Sequence, residues 1–383
     1  MDYASTTPMD LEVFDVMKKY FIERFENPSS LYREGVLVRE GVEEARGEAS
    51  RLLHTRPEEI IFTSGGTESD NLALLGIFEQ ARLEGIQKPH IIISSIEHPA
   101  IFEVKKEIEK RGGTASVISV SEEGILNIEE LRDAMTSNTV LVSIMYANNE
   151  IGTIQPITKI SRTILKWKKT QGKEDRSYPY FHTDASQAPN YLSCDVNALG
   201  VDMMTLDGSK IYGPKGVGCL VKKHYVKIIP QIIGGGQENG MRAGTENTPS
   251  IIGFVHALKK AVEMREAETE RLSALRDHFI TEILKNFKDA TLNGSIEDRL
   301  PNNINICIPN MNAEFAVIQL DEKGVACSFM TACKNLDDES SSYVIEALQK
   351  KECATSSLRF TLGRQTTKED IDFTIKALSD IKI

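Results

Sequence analysis

One lysine sets the chemistry this chain can attempt. Lys210 lies within residues 202–218, DMMTLDGSKIYGPKGVG, which read as a short buried strand, a polar turn and a Gly/Pro-rich return to the sheet. An amine at the carboxyl end of a buried strand, once partly desolvated, can form a Schiff base with a carbonyl partner. Taken alone, the same pattern describes an ordinary surface lysine on a loop. Its company argues otherwise: TSGGTESDN upstream, an aspartate on a strand at Asp184, and GGGQENGMRAGTEN downstream.

In the upstream stretch, Gly65 and Gly66 allow close backbone approach. Thr67 and the following amides stand where a helix N-terminus offers free N–H donors to an anion. The plainer alternative is a helix capped by Thr67 or Ser69.

Short apolar strands then alternate with helices: EEIIFTS, HIIISSIEH, ASVISV, TVLVSIMYANN, PYFHTDASQ, DMMTLDGSK and GVGCLVKK. That alternation implies a mainly parallel sheet with helices on both faces, and such sheets collect ligands at the carboxyl edges of their strands. The polar residues at those edges are His98, Asn148, Asn149, Asp184, Gln187, Ser209 and Lys210. Each has a duller reading, with His98 a turn histidine before Pro99, Asn148-Asn149 a turn, and Asp184 a helix cap.

With 383 residues, 40% of them hydrophobic and 26% charged, the chain has the makings of a two-domain globular protein. Residues 9–255 are expected to form a large α/β domain and 256–383 a smaller one, completed by an N-terminal arm at 1–8. No apolar run approaches the ~20 residues of a membrane span, so no membrane association and a cytoplasmic location are expected. A net charge of -11 disfavours nucleic acid, whose phosphates call for a basic stripe. The six cysteines show no metal-binding or disulfide-framework spacing, so most are expected to be reduced and no metal site is expected.

In family order, DYASTTP, ENPSSLY, TSGGTESDN, EHPA, ANNEIGTIQP, TDASQ, KIYGPKGVG, GGGQENGMRAGTEN, TAC and LRFTLGR resemble the cysteine desulfurases of the NifS/IscS-like group. These belong to the class V, fold-type I enzymes dependent on pyridoxal phosphate. The resemblance runs almost end to end and implies a mainly parallel seven-stranded sheet plus a smaller C-terminal α/β domain. It also implies a homodimer that turns L-cysteine into L-alanine and hands the sulfur to an acceptor protein, in iron–sulfur cluster or thio-cofactor biosynthesis. Another class V lyase or aminotransferase, such as one acting on selenocysteine, is the alternative within enzymes. A degenerate paralogue serving as a binding partner is the alternative outside them.

Carried over, the resemblance makes Lys210 the Schiff-base lysine, Asp184 the partner of the pyridine nitrogen and His98 the group stacked on the ring. Asn148 and Gln187 would hydrogen-bond near the phenolic oxygen, with Asn148 also near substrate. Gly66, Thr67 and Ser209 would hold the phosphate, joined by Thr245 from a second subunit. Arg359 would clamp the substrate carboxylate, a task suited to a planar guanidinium. Cys333, on the polar stretch TACKNLDDESSS, would be the persulfide-forming nucleophile, and an exposed loop suits that task. Cys327, on an expected buried strand, reads as inert.

Three departures stand out. Where the family has S-x-H before the lysine, this chain has Asp207-Gly208-Ser209. A carboxylate facing a phosphate repels it, so Asp207 must turn away, be protonated, or weaken cofactor binding. Asp70 replaces an asparagine, and Phe329-Met330 replace smaller residues before the cysteine stretch.

Overall fold

The computed structural model describes residues 1–329 and 341–381. Two helices, α1 (Leu11–Ile22) and α2 (Arg33–Leu52), open the chain. There follow β1 (Ile60–Thr63), α3 (Gly66–Leu83), β2 (His90–Ser94), α4 (Pro99–Lys110), β3 (Thr114–Ile118) and α5 (Ile128–Ala134). Next come β4 (Thr139–Ser143), α6 (Ile157–Thr170), β5 (Tyr180–Asp184), α7 (Val196–Leu199), β6 (Met203–Asp207) and β7 (Gly218–Lys222). The remainder is α8 (Thr248–Asn286), β8 (Thr291–Leu292), β9 (Asn303–Cys307), α9 (Ala313–Glu322), α10 (Tyr343–Ala347), β10 (Ser357–Thr361) and α11 (Lys368–Ser379).

The first seven strands form one sheet in the order β1-β7-β6-β5-β4-β2-β3. Pairings from β3 through β2, β4 and β5 to β6 are parallel, while β7 runs antiparallel to both β6 and β1. The mainly parallel seven-stranded sheet expected from the sequence is therefore present.

Successive side chains of a strand face opposite ways, and here both faces are buried. Ile60, Phe62, Ile92, Val142, Met204, Cys219 and Val221 pack into one core with Val13, Val42, Phe254 and Leu258. Ile61, Ile91, Ile93, Leu141, Met203 and Leu220 face the other way, onto Leu74, Phe78, Ile101 and Val104. Near-continuous apolar strands thus become the middle layer between helices, and all their carboxyl ends except that of β7 open on one edge.

A second, antiparallel sheet of three strands runs β10-β9-β8 and has its own core, in which Leu272, Phe279, Ile306, Phe360 and Leu378 meet. The 39-residue helix α8 serves both cores: Phe254 and Leu258 pack on the large sheet, Phe279 and Ile283 on the small one. The division expected between residues 255 and 256 falls inside this helix.

The N-terminal arm is tied to both sheets. Asp2 bridges Thr361 of β10, and the Ala4 amide donates to Thr361 Oγ1 at 2.9 Å. Further on, Thr7 N donates to the Ser209 carbonyl at 2.9 Å and Thr7 Oγ1 accepts from Tyr212 N at 2.8 Å.

The cysteines need a correction. Cys307 and Cys353 form a disulfide across 46 residues of sequence, a pairing that no local spacing announces. Cys194, Cys219 and Cys327 are free and buried, and burial pushes the Cys194 and Cys327 thiols up to about 12, which suits inert packing. Cys327 follows α9 outside any strand; its neighbour Ser328 makes an isolated bridge to Arg359.

Candidate active site

The strand edge that collects the polar residues holds a cavity of about 160 Å³. Lys210, His98, Asp184, Gln187, Gly66, Thr67 and Arg359 all line it, as expected, and so do Ser5, Asp70, Asn149, Ser186 and Asp207. The segments that carry these residues are far apart in sequence; the parallel strand order brings them to one rim.

Lys210 sits in a short 3-10 turn directly after β6, half-buried, and its Nζ donates to the Ser5 carbonyl of the arm. Asp184 ends β5. Its Oδ1 accepts from the Ser186 amide at 2.9 Å and from Ser186 Oγ at 2.6 Å, so the carboxylate is turned and held before any ligand arrives. Gln187 reaches the arm too, its Nε2 donating to the Ala4 carbonyl at 3.0 Å.

His98 caps α4, with Nδ1 accepting the Ala100 amide at 3.2 Å. That bond places the proton of the neutral ring on Nε2. Burial depresses the imidazole pKa, and nearby Lys210 adds to the effect against the opposing pull of Asp184 and Asp207. His98 is therefore neutral at neutral pH, with an N–H to give.

Arg359, only 2% exposed, projects from β10 into the cavity. Its Nη1 donates to the Asn149 carbonyl at 3.1 Å, while Nη2 donates to Asp2 Oδ1 at 2.7 Å and Ser5 Oγ at 2.8 Å. Its Nε is buried without a partner among the described residues. A guanidinium half-satisfied by the arm and half open is a ready receptor for a carboxylate.

The carboxyl ends of β1 and β6 converge at the N-terminus of α3. Gly65 enters the turn with φ +148°, a conformation that favours glycine. Asp207 does not turn away. Its Oδ2 accepts the Gly66 amide at 2.9 Å, and Oδ1 accepts the Ser209 amide at 2.7 Å and the Ser209 hydroxyl at 2.6 Å.

Asp70, fully buried one turn into α3, has Oδ1 without a hydrogen-bond partner among the described residues. Burial, reinforced by Asp184, drives its pKa far upward, so it is a neutral acid rather than a second charge. His182 Nε2 lies 3.7 Å from Asp70 Oδ1, but burial holds that imidazole at about 3, which makes the contact one between neutral groups.

Several expected placements change. Asn148 does not reach the cavity: it is wholly buried, its Nδ2 donating to the Ile96 carbonyl and its Oδ1 accepting from Glu150 N and Ile151 N. The side chain is spent shaping the turn, as an Asx-type bond does, and Asn149 is the residue on the lining. Ser209 is likewise committed to Asp207 and absent from the lining. Thr245, expected to act from a second subunit, is exposed and does not line the cavity of its own chain. Cys333 lies outside the described residues.

Sequence reasoning missed Ser186 and Ser5, and it placed Asn149 at the strand edge without giving it a role. The small residue two positions after Asp184 was the one available signal, since an Asx turn seeks it.

Elsewhere, a wider groove of about 870 Å³ between α1, α2 and α8 is lined by Lys19, Glu44, Arg51 and His256 and by none of the expected site residues. Among the described residues no cluster of three or more His, Cys, Asp or Glu is placed to hold a metal, and no helix is long and apolar enough to cross a membrane.

Residues 1–373 match the family model described as aminotransferase class-V. A protein of Dictyoglomus turgidum named cysteine desulfurase IscS is 42% identical over 382 residues, covering 100% of this chain and 93% of the relative. A solved NifS-like protein superposes with TM-score 0.89 at 30% identity, over 99% of this chain and 97% of its own. Another, SspA in complex with cysteine, gives TM-score 0.77 at 30% identity, over 94% and 98%.

Proposed function

We propose, from the premise that the chain belongs to the aminotransferase class-V family and to its cysteine desulfurases of the IscS and NifS-like kind, that it converts L-cysteine to L-alanine. The sulfur leaves as a persulfide on Cys333 and passes to an acceptor protein, in iron–sulfur cluster or thio-cofactor assembly. The observation that carries this reading is the convergence of Lys210, His98, Asp184, Gln187 and Arg359 on one cavity. The solved relative titled as a complex with cysteine supports the substrate.

The cofactor we propose is pyridoxal phosphate, and the cavity suits its ring end. A Cβ on Gly66 would stand 3.1 Å from Ser186 Oγ, so the bare backbone there keeps space that any larger residue would take. Unpartnered buried atoms at Asp70 Oδ1 and Arg359 Nε supply polar groups with capacity for a ligand. Lys210 would hold the cofactor carbonyl, Asp184 the pyridine nitrogen, Gln187 the phenolic oxygen, and Gly66 with Thr67 the phosphate, Thr245 joining from a second copy of the chain. When bound, the group draws electrons from the substrate α-carbon and loosens the bonds around it.

The chain's own groups do the rest. Asp184, held by Ser186, would present its carboxylate to the pyridine nitrogen in a fixed orientation. His98, its proton on Nε2, would cover the cofactor ring. Arg359 receives the substrate carboxylate, exchanging its bond to Asp2 for two to the ligand. The Cys333 thiolate attacks the substrate Sγ: an S–S bond forms, the Cβ–Sγ bond breaks, and its electron pair stays on carbon, which is protonated on the way to alanine.

Both described flanks of the Cys333 segment are anchored beside the cavity rim, which supports this role. Ser328 pairs with the Arg359 backbone, and Ser342 Oγ donates to Glu150 Oε2 at 2.6 Å. The test is to add L-cysteine and measure alanine and sulfide together. Wild type should yield both, with Lys210→Ala and Cys333→Ala yielding neither; alanine persisting in Cys333→Ala would sink the persulfide role and favour a lyase.

A further inference from the structure

The two ends of the cavity differ in how their hydrogen-bond donors are used. Anions are drawn to a helix N-terminus because its first amides lack intrahelical partners. At α3 the first of them, Gly66 N–H, already donates to Asp207 Oδ2 at 2.9 Å. The nearest hydroxyl and amide on the lysine side, both of Ser209, donate to the other oxygen of the same carboxylate at 2.6 and 2.7 Å. Three donors that a phosphate would use are thus taken by one side chain.

Titratable groups face Asp207 from several elements. From α3 comes Asp70, its Oδ1 buried, unpartnered among the described residues and on the same cavity lining. From β5 comes Asp184, from the cap of α4 His98, and from the turn after β6 Lys210, whose Nζ is engaged by the Ser5 carbonyl. Glu68, on the same first turn, accepts from Ser64 N and Arg242 and contributes no free cation. A phosphate monoester, close to a dianion at neutral pH, would enter beside a carboxylate.

We infer that Asp207 is a specificity residue, a resident anion at the α3 N-terminus that makes the phosphate of pyridoxal phosphate contribute little to binding, so that unphosphorylated pyridoxal is held nearly as well. The inference rests on the cofactor reading above and sharpens it: the ring end selects the ligand, and the phosphate end does not.

The experiment compares the full-length wild type with Asp207→Ser and Asp207→Asn. Each is titrated with pyridoxal and with pyridoxal phosphate, following the yellow absorbance and the borohydride-fixed adduct on Lys210 by mass. In wild type the two dissociation constants should differ by less than about tenfold. In both variants pyridoxal phosphate should tighten until they differ by about a hundredfold or more. Asn keeps one acceptor oxygen, enough for the Ser209 turn but not for the Gly66 amide as well, so its comparison with Ser separates loss of charge from loss of the turn. As a second readout, inorganic phosphate should raise the melting temperature of the variants and leave wild type unmoved. Equal vitamer ratios in wild type and variants would overturn the inference alone. No Lys210 adduct with either vitamer in any of the three proteins would overturn the cofactor reading with it.

Discussion

The ring end and the phosphate end of the cavity are built from the same kinds of residue yet are prepared differently. At the ring end each group is oriented by a neighbour that leaves its working face open: Ser186 turns Asp184, the Ala100 amide fixes the tautomer of His98, and the Ala4 carbonyl steers Gln187. At the phosphate end the donors of Gly66 and Ser209 close on Asp207 instead. Preorganisation favours catalysis only where the oriented group still has a bond to make. A site can therefore keep the geometry of its reactive half while its anchoring half becomes self-satisfied.

The largest effect should come from Lys210→Ala. Losing the amine should remove the yellow adduct and reduce alanine formation by about 10⁴-fold or more, with the melting temperature changed by no more than a few degrees. Appreciable turnover in this variant would break the distinction between the two ends at its root. Asp184→Ala comes next, with an expected loss of about 10³-fold in turnover, because it removes a fixed charge from a site largely closed to water. If Asp184→Ala cost no more than tenfold, the ring end would be no better organised than the phosphate end.

What the sequence makes legible divides along similar lines. Strands such as HIIIS and TVLVS carry three consecutive apolar residues, which requires burial on both faces and a central layer. Most residues singled out at strand ends, Asn148 and Ser209 excepted, reach the rim because parallel order carries those ends to one edge. Asn148 and Asn149 defeat the reading because they are identical in type; only the backbone path decides that the first is spent on the amides of Glu150 and Ile151 while the second lines the cavity. The acid at 207 was visible as a problem of charge, but its solution required seeing the Gly66 amide come within 2.9 Å from 141 residues away. The Cys307–Cys353 disulfide is a matter of tertiary contact in the same sense.

Arg359 tests the comparison from the small sheet. Arg359→Ala should lower kcat/KM by about 10²-fold through loss of the paired hydrogen bonds to the substrate carboxylate. Arg359→Lys should recover little of it, because a single ammonium cannot reproduce the fork. Asp2 is one-quarter exposed at its side chain and can turn to solvent once its partner is gone, so the folded state should tolerate the change better than the reaction does. A variant that lost stability and activity in parallel would instead make Arg359 a strut between the arm and the small sheet.

The smallest expected effect lies just behind the cavity, at Glu97. Its Oε1 accepts from Ser94 Oγ at 2.5 Å and from Met145 N at 3.0 Å, while Oε2 is buried without a partner among the described residues. Burial outweighs those two bonds and raises its pKa from 4.5 to about 8, so the folded protein holds a proton that the unfolded chain has released. Between about pH 4.5 and pH 8 the native state binds more protons than the unfolded state, and this residue's contribution to stability falls as pH rises. Glu97→Gln keeps the acceptor at Oε1 and has no proton to lose. It should leave the melting temperature near pH 5 unchanged and raise it by a few degrees near pH 8. Equal melting temperatures at pH 8 would mean that Glu97 is already ionised in the fold and that the wall beneath the ring end carries a charge, which would bring the two ends of the cavity closer in character than their hydrogen bonds suggest.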